Sequence, residues 1–184
     1  MALHLTLEGE RVRLEPLEPR HEEPLWAVAQ DPRTWRWMKV LGHESREVFH
    51  DWFAGIETGF AHFFDGELVG HTAFLNDRPA DRSVEIGHTW LNPGAWGTTA
   101  NTEAKYLLMR HAFEEEGYFR VEFKTDAKNE RSRPALEKVG ATFEGIHRKH
   151  MLVRGGERRD SAWYSVIDDE WPAAKAKLEA LLAR

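Results

Sequence analysis

The chain has 184 residues, a net charge of −6 and no cysteine; 41% of it is apolar, 30% charged and 11% aromatic. That is the composition of a soluble globular chain able to bury a core, read here as one domain over 1–184. The acidic balance disfavours a nucleic-acid backbone as the main partner, while the missing cysteines exclude a disulfide framework, a thiolate nucleophile and a cysteine-based metal site. A membrane partner is not expected, because no apolar run reaches the roughly 18 residues a span requires. The start "MALHLTLEGERVRLEP" is too broken by charge for a signal peptide, so a cytoplasmic setting is expected.

Taken in chain order, "RVRLEPL" alternates Val12 and Leu14 with Arg11, Arg13 and Glu15, which predicts a strand. "PRHEEPLWAVAQ" reads as a helix with an early proline. "ESREVFHDWFAGI" is a second, placing Val48, Phe49, Trp52, Phe53 and Ile56 at helical spacing. Three strands follow in "GFAHFF", "ELVGHTAFL" and "VEIGHTWL", the first two joined by Asp65-Gly66, a hairpin signal. From Thr98 to Glu116 the pattern is helical and stops at Gly117, with Ala100, Ala104, Leu107, Leu108 and Ala112 forming one apolar stripe. "FRVEFKTDA" alternates again, "SRPALEKVG" is a short helix, and "ATFEGIHRKHMLV" and "RDSAWYSVI" are strands around "RGGER". "EWPAAKAKLEALLA" closes the chain as a helix over about 170–183. This order predicts an α+β fold, a mixed sheet with helices on its faces and one strand–helix–strand crossover.

Two stretches carry chemistry. In "NPGAWGTTANTEAK" small and hydroxyl residues crowd a helix start, where unpaired N–H groups and a partial positive charge hold anions. Gly97 lets the backbone approach a ligand and Thr98, Thr99 and Thr102 offer hydroxyls; a plain turn and helix cap accounts for the same residues equally well. In "TDAKNERSRPALEKVGA", Asn129 and Ser132 lie three apart where a helix begins, suiting either a shared cleft or simple capping, with Ser132 itself a fair N-cap. Pro134 is tolerated only in a first turn. Glu85 stands in the apolar "VEIGHTW", so it is either a partly desolvated base or a salt-bridged strand residue. His71 and His88 lie in strands as further candidate bases, and Arg131, Arg133, Arg148 and Lys149 form a basic cluster suited to a terminal phosphate or to solvent. The ten histidines show no tight ligand spacing, so no metal is expected.

These segments together resemble the GCN5-related N-acetyltransferases (GNAT), most closely the RimJ/RimL-type branch, from about Gly9 to Val166. The match rests on "ERVRLEPLEPRHEEPLW", "ELVGHTAF", "SVEIGHTWLNP", "WGTTANTEAKYLLMRHAFEEEGYFRVEFKTDAKNERSRPALEKVGATFEG" and "RRDSAWYSV", in that order. It implies a mixed, mostly antiparallel central sheet of about seven strands with helices on both faces. It also implies acetyl-CoA as co-substrate and a primary amine as acceptor, on a protein N-terminus or a small molecule. The pantetheine would lie along the strand Val84 to Leu91, with Trp90 and Leu91 nearest the thioester. The pyrophosphate maps onto Trp96, Gly97, Thr98, Thr99, Ala100 and Asn101. Of the family's glycine signature only Gly97 is kept; Gly94 stands where a Gln or Arg is usual and Thr99 where a small residue is. Asn129 matches the asparagine that touches the pantetheine arm, and Ser132 a serine offered by this branch in place of the tyrosine that protonates the departing thiolate. The implied reaction is direct transfer in a ternary complex, with Glu85 acting through a water as base, Ser132 as acid and Asn129 positioning the thiolate. A non-catalytic CoA-binding or regulatory module on the same fold is the competing expectation. Homodimerisation is carried over from the family alone.

Overall fold

The structure, a computed structural model, describes residues 3–183. Eight strands form a single sheet: Leu7–Glu8 (β1), Val12–Pro16 (β2), Thr58–Phe64 (β3), Glu67–Arg78 (β4), Ser83–Leu91 (β5), Arg120–Asp126 (β6), Thr142–Val153 (β7) and Glu157–Ile167 (β8). Their spatial order is β1-β2-β3-β4-β5-β6-β8-β7, and only β5–β6 is parallel. Asp65 and Gly66, at φ 51° and 82°, turn β3 into β4 as the paired left-handed residues of a two-residue hairpin.

Besides short 3-10 and π segments, the described residues form six α-helices: Glu22–Val28 (α1), Pro32–Trp35 (α2), Arg46–Ala54 (α3), Ala100–Arg110 (α4), Ser132–Lys138 (α5) and Trp171–Leu182 (α6). The helical stretch expected over 98–116 begins at Ala100 and widens after Arg110 into a π-helical segment, His111–Glu115, before Gly117 at φ 67° stops it. No helix among the described residues is long and apolar enough to cross a membrane.

Each face of the sheet has its own core. Val84, Ile86, Val121, Phe123, Ala162 and Tyr164 pack with Leu107 and Leu108 of α4, Leu136 of α5 and Leu178 of α6. On the other side Trp90 joins Leu25, Trp35, Phe49 and Phe53 of the N-terminal helices. Strict alternation along β5 would put Trp90 on the same face as Val84 and Ile86. It does not, because the register slips between His71 and Ala73 of β4, where β5 inserts one extra residue. His88, in the slipped stretch, takes φ 49°, and beyond it Leu91 rejoins the α4 core while Trp90 turns to the opposite face. One bulge therefore inverts the strand at the point that matters for the site.

Candidate active site

β5 and β6 pair only over Ser83↔Arg120, Val84↔Val121 and Glu85↔Glu122. Beyond those residues β5 runs on to Leu91 and β6 to Asp126 without bonding each other, so the sheet opens as a wedge. A cavity of about 690 Å³ fills it. Its lining draws on both faces of the sheet: Ile86 and Phe123 from the α4 side, Glu85 and Lys124 from the other.

Of the residues expected from sequence, Glu85, Trp90, Leu91, Trp96, Gly97, Thr98, Asn101, Asn129 and Ser132 all line this cavity. Thr99 and Ala100 are not among its lining residues, and Ala100 is fully buried in the α4 core. At the mouth, Trp96 Nε1 donates to the Leu91 carbonyl (2.9 Å), tying the turn to the end of β5. Gly97 sits at φ 78°, and a β-carbon there would meet nothing within 4 Å, so backbone conformation rather than space selects the glycine. Thr98 Oγ1 accepts from Ala100 N–H (3.2 Å) and donates to the Ala95 carbonyl (2.7 Å), so its hydroxyl is spent on the turn that leads into α4. Arg131 lies over the Trp96 ring at 3.7 Å, its guanidinium acidity raised by burial. Of the other basic residues flagged in the sequence, Arg133 serves the fold, donating to the Tyr164 hydroxyl and the Ala127 carbonyl.

The Asn129–Ser132 pair divides its work. Asn129 Oδ1 accepts the Ser132 N–H (3.0 Å) and its carbonyl accepts the Arg133 N–H (3.2 Å), which makes Asn129 the functional N-cap of α5. Its Nδ2 donates to Thr125 Oγ1 (3.2 Å). The reading of Ser132 as its own cap is thereby corrected: the Ser132 hydroxyl makes no hydrogen bond with another described residue.

Glu85 is 1% exposed and its Oε2 accepts from Lys124 Nζ (2.8 Å) and Asn76 Nδ2 (2.7 Å). Oε1 has no hydrogen-bond partner among the described residues. Burial pushes His71 down to about 3, with its Nδ1 on the His88 carbonyl. It is absent from the cavity lining, whereas His88 lines the cavity and is held low by burial, then by Lys124 and Lys39. Lys124, Asn76 and a buried Lys105 on α4 were not singled out in the sequence. Lys105 was detectable there as a lysine three residues before Leu108, inside an apolar stripe. On the Glu85 side, Arg154 donates to the Met38 carbonyl (3.0 Å) and its N–H to the Lys39 carbonyl (2.8 Å). These bonds pin the β7–β8 turn to the loop after α2. Among the described residues no group of three or more His, Asp or Glu is placed to hold a metal.

A sheet opened between two parallel strands, with a helix N-terminus at its mouth, matches a known family. The acetyltransferase (GNAT) domain model fits residues 11–142. This chain belongs to the GNAT acetyltransferase family. A Bacillus subtilis (strain 168) protein named "Putative ribosomal N-acetyltransferase YdaF" is 30% identical over 181 residues, 91% of this chain and 97% of that protein. The crystal structure of a GCN5-related N-acetyltransferase from Brucella melitensis is 34% identical and superposes with a TM-score of 0.89, covering 96% of this chain and 85% of that one. The GNAT fold is shared with Mycobacterium smegmatis RimJ in complex with CoA-disulfide, at 24% identity and a TM-score of 0.81, over 96% of this chain and 94% of that one. Acetyl transfer is the chemistry general to GNAT proteins, and the mixed sheet expected from the sequence is the one present, with a short β1 as an eighth strand.

Proposed function

We propose that this chain is an acetyl-CoA-dependent N-acetyltransferase that moves an acetyl group to a primary amine by direct attack in a ternary complex. The observation that carries the reading is the wedge between β5 and β6, one cavity lined from both faces of the sheet. It lets a donor enter on the α4 side and an amine on the Glu85 side. The residues present fit acetyl-CoA: Asn101 Oδ1 and Trp90 Nε1 are buried without partners, and β5 beyond the wedge apex has no neighbour on its β6 side. In this reading Gly97 and the first turn of α4, with Arg131 beside them, would hold the diphosphate, and Asn129 and Ser132 the pantetheine and its sulfur. Acetyl-CoA supplies an activated acyl group.

The chain's own residues do the rest. The backbone N–H groups near Trp90 and Leu91 polarise the acyl carbonyl. Glu85 takes the surplus proton of the amine through a water on its free Oε1, while Lys124 and Asn76 hold Oε2 in place. Ser132 presents an unused hydroxyl to the leaving sulfur. The acceptor is a protein N-terminus or a small-molecule amine; the name of the Bacillus subtilis relative supports the former, and with it a cytoplasmic setting.

Calorimetry with acetyl-CoA followed by thiol-release assays over peptide and small amines tests this reading. Saturable binding with amine-dependent thiol release is the expected result. Binding without release on any amine would leave the non-catalytic module, and absence of binding would reject both.

A further inference from the structure

Lys105 is a charged cavity residue that the reaction as described leaves unused. It sits on α4 on a face shared with Leu108 and Ala112, and only 6% of it is exposed. It makes no ion pair or hydrogen bond with another described residue. Glu103, two residues earlier, is turned away and accepts the N–H groups of Arg11 and Val12. His62 of β3 faces the same ammonium as a neutral ring, pushed to about 3 by burial and then by the Lys105 charge. The Lys105 Nζ lies 5.7 Å from the Phe123 ring centroid, and Phe123 is the first residue of β6 past the last β5–β6 pair. The ammonium is therefore at the apex of the wedge. Asn101, one turn earlier on α4, faces the same cavity with its Oδ1 unpartnered.

A buried cation with no counter-charge is unfavourable unless an anion reaches it. The anion-holding mouth at Gly97 and the amine side at Glu85 and Lys124 bound the same wedge. The pantetheine arm of a donor reaching from one toward the other would pass beside Phe123 and Lys105. We propose that Lys105 is a further catalytic residue, the cation that receives the leaving thiolate of CoA. The inference rests on the acetyl-transfer reading above. As the amine nitrogen bonds the acetyl carbon, the C–S bond breaks and its electron pair stays on sulfur. Lys105 offsets that charge and passes a proton to the sulfur, while the amine's surplus proton leaves through Glu85 to water. Lys105 is then reprotonated from solvent in the cavity. Burial supports the role by bringing the ammonium down to about 8, still charged near neutrality and close to the roughly 8.5 of a free thiol. A serine hydroxyl, a far weaker acid than a thiol, offers the sulfur a hydrogen bond but no charge.

The test is the ultraviolet thiolate titration of CoA bound to the wild-type protein, to Lys105→Met and to Lys105→Gln, with calorimetry of CoA and acetyl-CoA on each. In the wild type the bound thiol should titrate about one pH unit or more below free CoA, and both variants should lose that shift. Acetyl-CoA affinity should change less than about threefold while kcat falls about tenfold or more. The wild-type titration stands even if a variant folds poorly. A bound thiol that titrates like free CoA, or stays shifted in the variants, overturns the role of Lys105 with the acetyl-transfer reading intact. A loss of acetyl-CoA affinity as large as the loss of kcat overturns it in favour of plain anchoring. If the wild type binds no CoA, the reading itself falls and the role with it.

Discussion

Glu85 and Lys124 close the apex of the wedge: the ammonium of one meets Oε2 of the other at 2.8 Å, where β5 and β6 stop pairing. The carboxylate is 1% exposed and the lysine side chain 17%. Removing the lysine would strand a buried charge. Lys124→Met should therefore cost about 3 kcal/mol, the low end for breaking a buried pair because the lysine is partly solvated. Glu85→Gln keeps the shape and should lower kcat by about 10² or more. Urea denaturation and steady-state kinetics on the two variants check both halves.

Gly97→Ala tests the mouth. With φ at 78° and nothing for the new methyl to touch, the cost is backbone strain of about 1–2 kcal/mol rather than a clash. The turn should relax away from its present path, raising KM for acetyl-CoA with little change in KM for the amine. Paired KM measurements at saturating co-substrate read this directly.

Asn129 and Ser132 should separate cleanly. Asn129→Ala removes the α5 cap and the Thr125 bond, so a loss of about 1–2 kcal/mol is expected along with activity. Ser132→Ala breaks no side-chain bond within the described structure and should leave stability within about 0.5 kcal/mol while lowering kcat. Thermal melts and kcat of each variant decide it. A Ser132→Ala protein with full turnover and an unchanged pH profile would remove the serine from the chemistry.

Acid should loosen the fold through its buried histidines. His62 and His71 are each pushed by burial to about 3, below the ordinary value near 6.5. The unfolded chain therefore binds more protons between those values, so stability is full above about 6.5 and falls as pH drops through the window. At pH 5, about 1.5 units below the ordinary value and at about 1.4 kcal/mol per unit, each histidine costs about 2 kcal/mol relative to pH 7. His62 makes no side-chain hydrogen bond among the described residues and only a weak approach to the Ala100 backbone, so His62→Leu should flatten the fall in melting temperature between pH 7 and pH 5. An unchanged slope would contradict the assignment.

Local signals carried most of the fold. Alternation found β2 and β6, stretches set off by turn signals found β3, β4, β5, β7 and β8, the Asp65-Gly66 pair found the hairpin, and the stripe from Ala100 to Ala112 found α4. The four-residue α2 escaped because Pro32–Trp35 is too short for any periodicity. The bulge at His88 escaped for a different reason: it is set by how β4 and β5 register, and that choice turns Trp90 to the opposite core. Glu85 was visible as a carboxylate out of place, but its partner Lys124 lies 39 residues away across a parallel pair that only the fold creates. Lys105 was visible too, as a charge in an apolar stripe; its meaning depends on Phe123 and the wedge. The Asn129 cap was open because Asn129 and Ser132 suit the same end, and only the hydrogen bonds tell them apart.

The most direct test is the initial rate of thiol release measured while acetyl-CoA and a peptide bearing a free N-terminal amine, or a small primary amine, are varied together. The wedge account predicts saturation in both substrates and intersecting double-reciprocal lines, since donor and amine occupy one cavity at once. Parallel lines would contradict direct transfer, and thiol release independent of every amine offered would contradict the acetyltransferase assignment of the site.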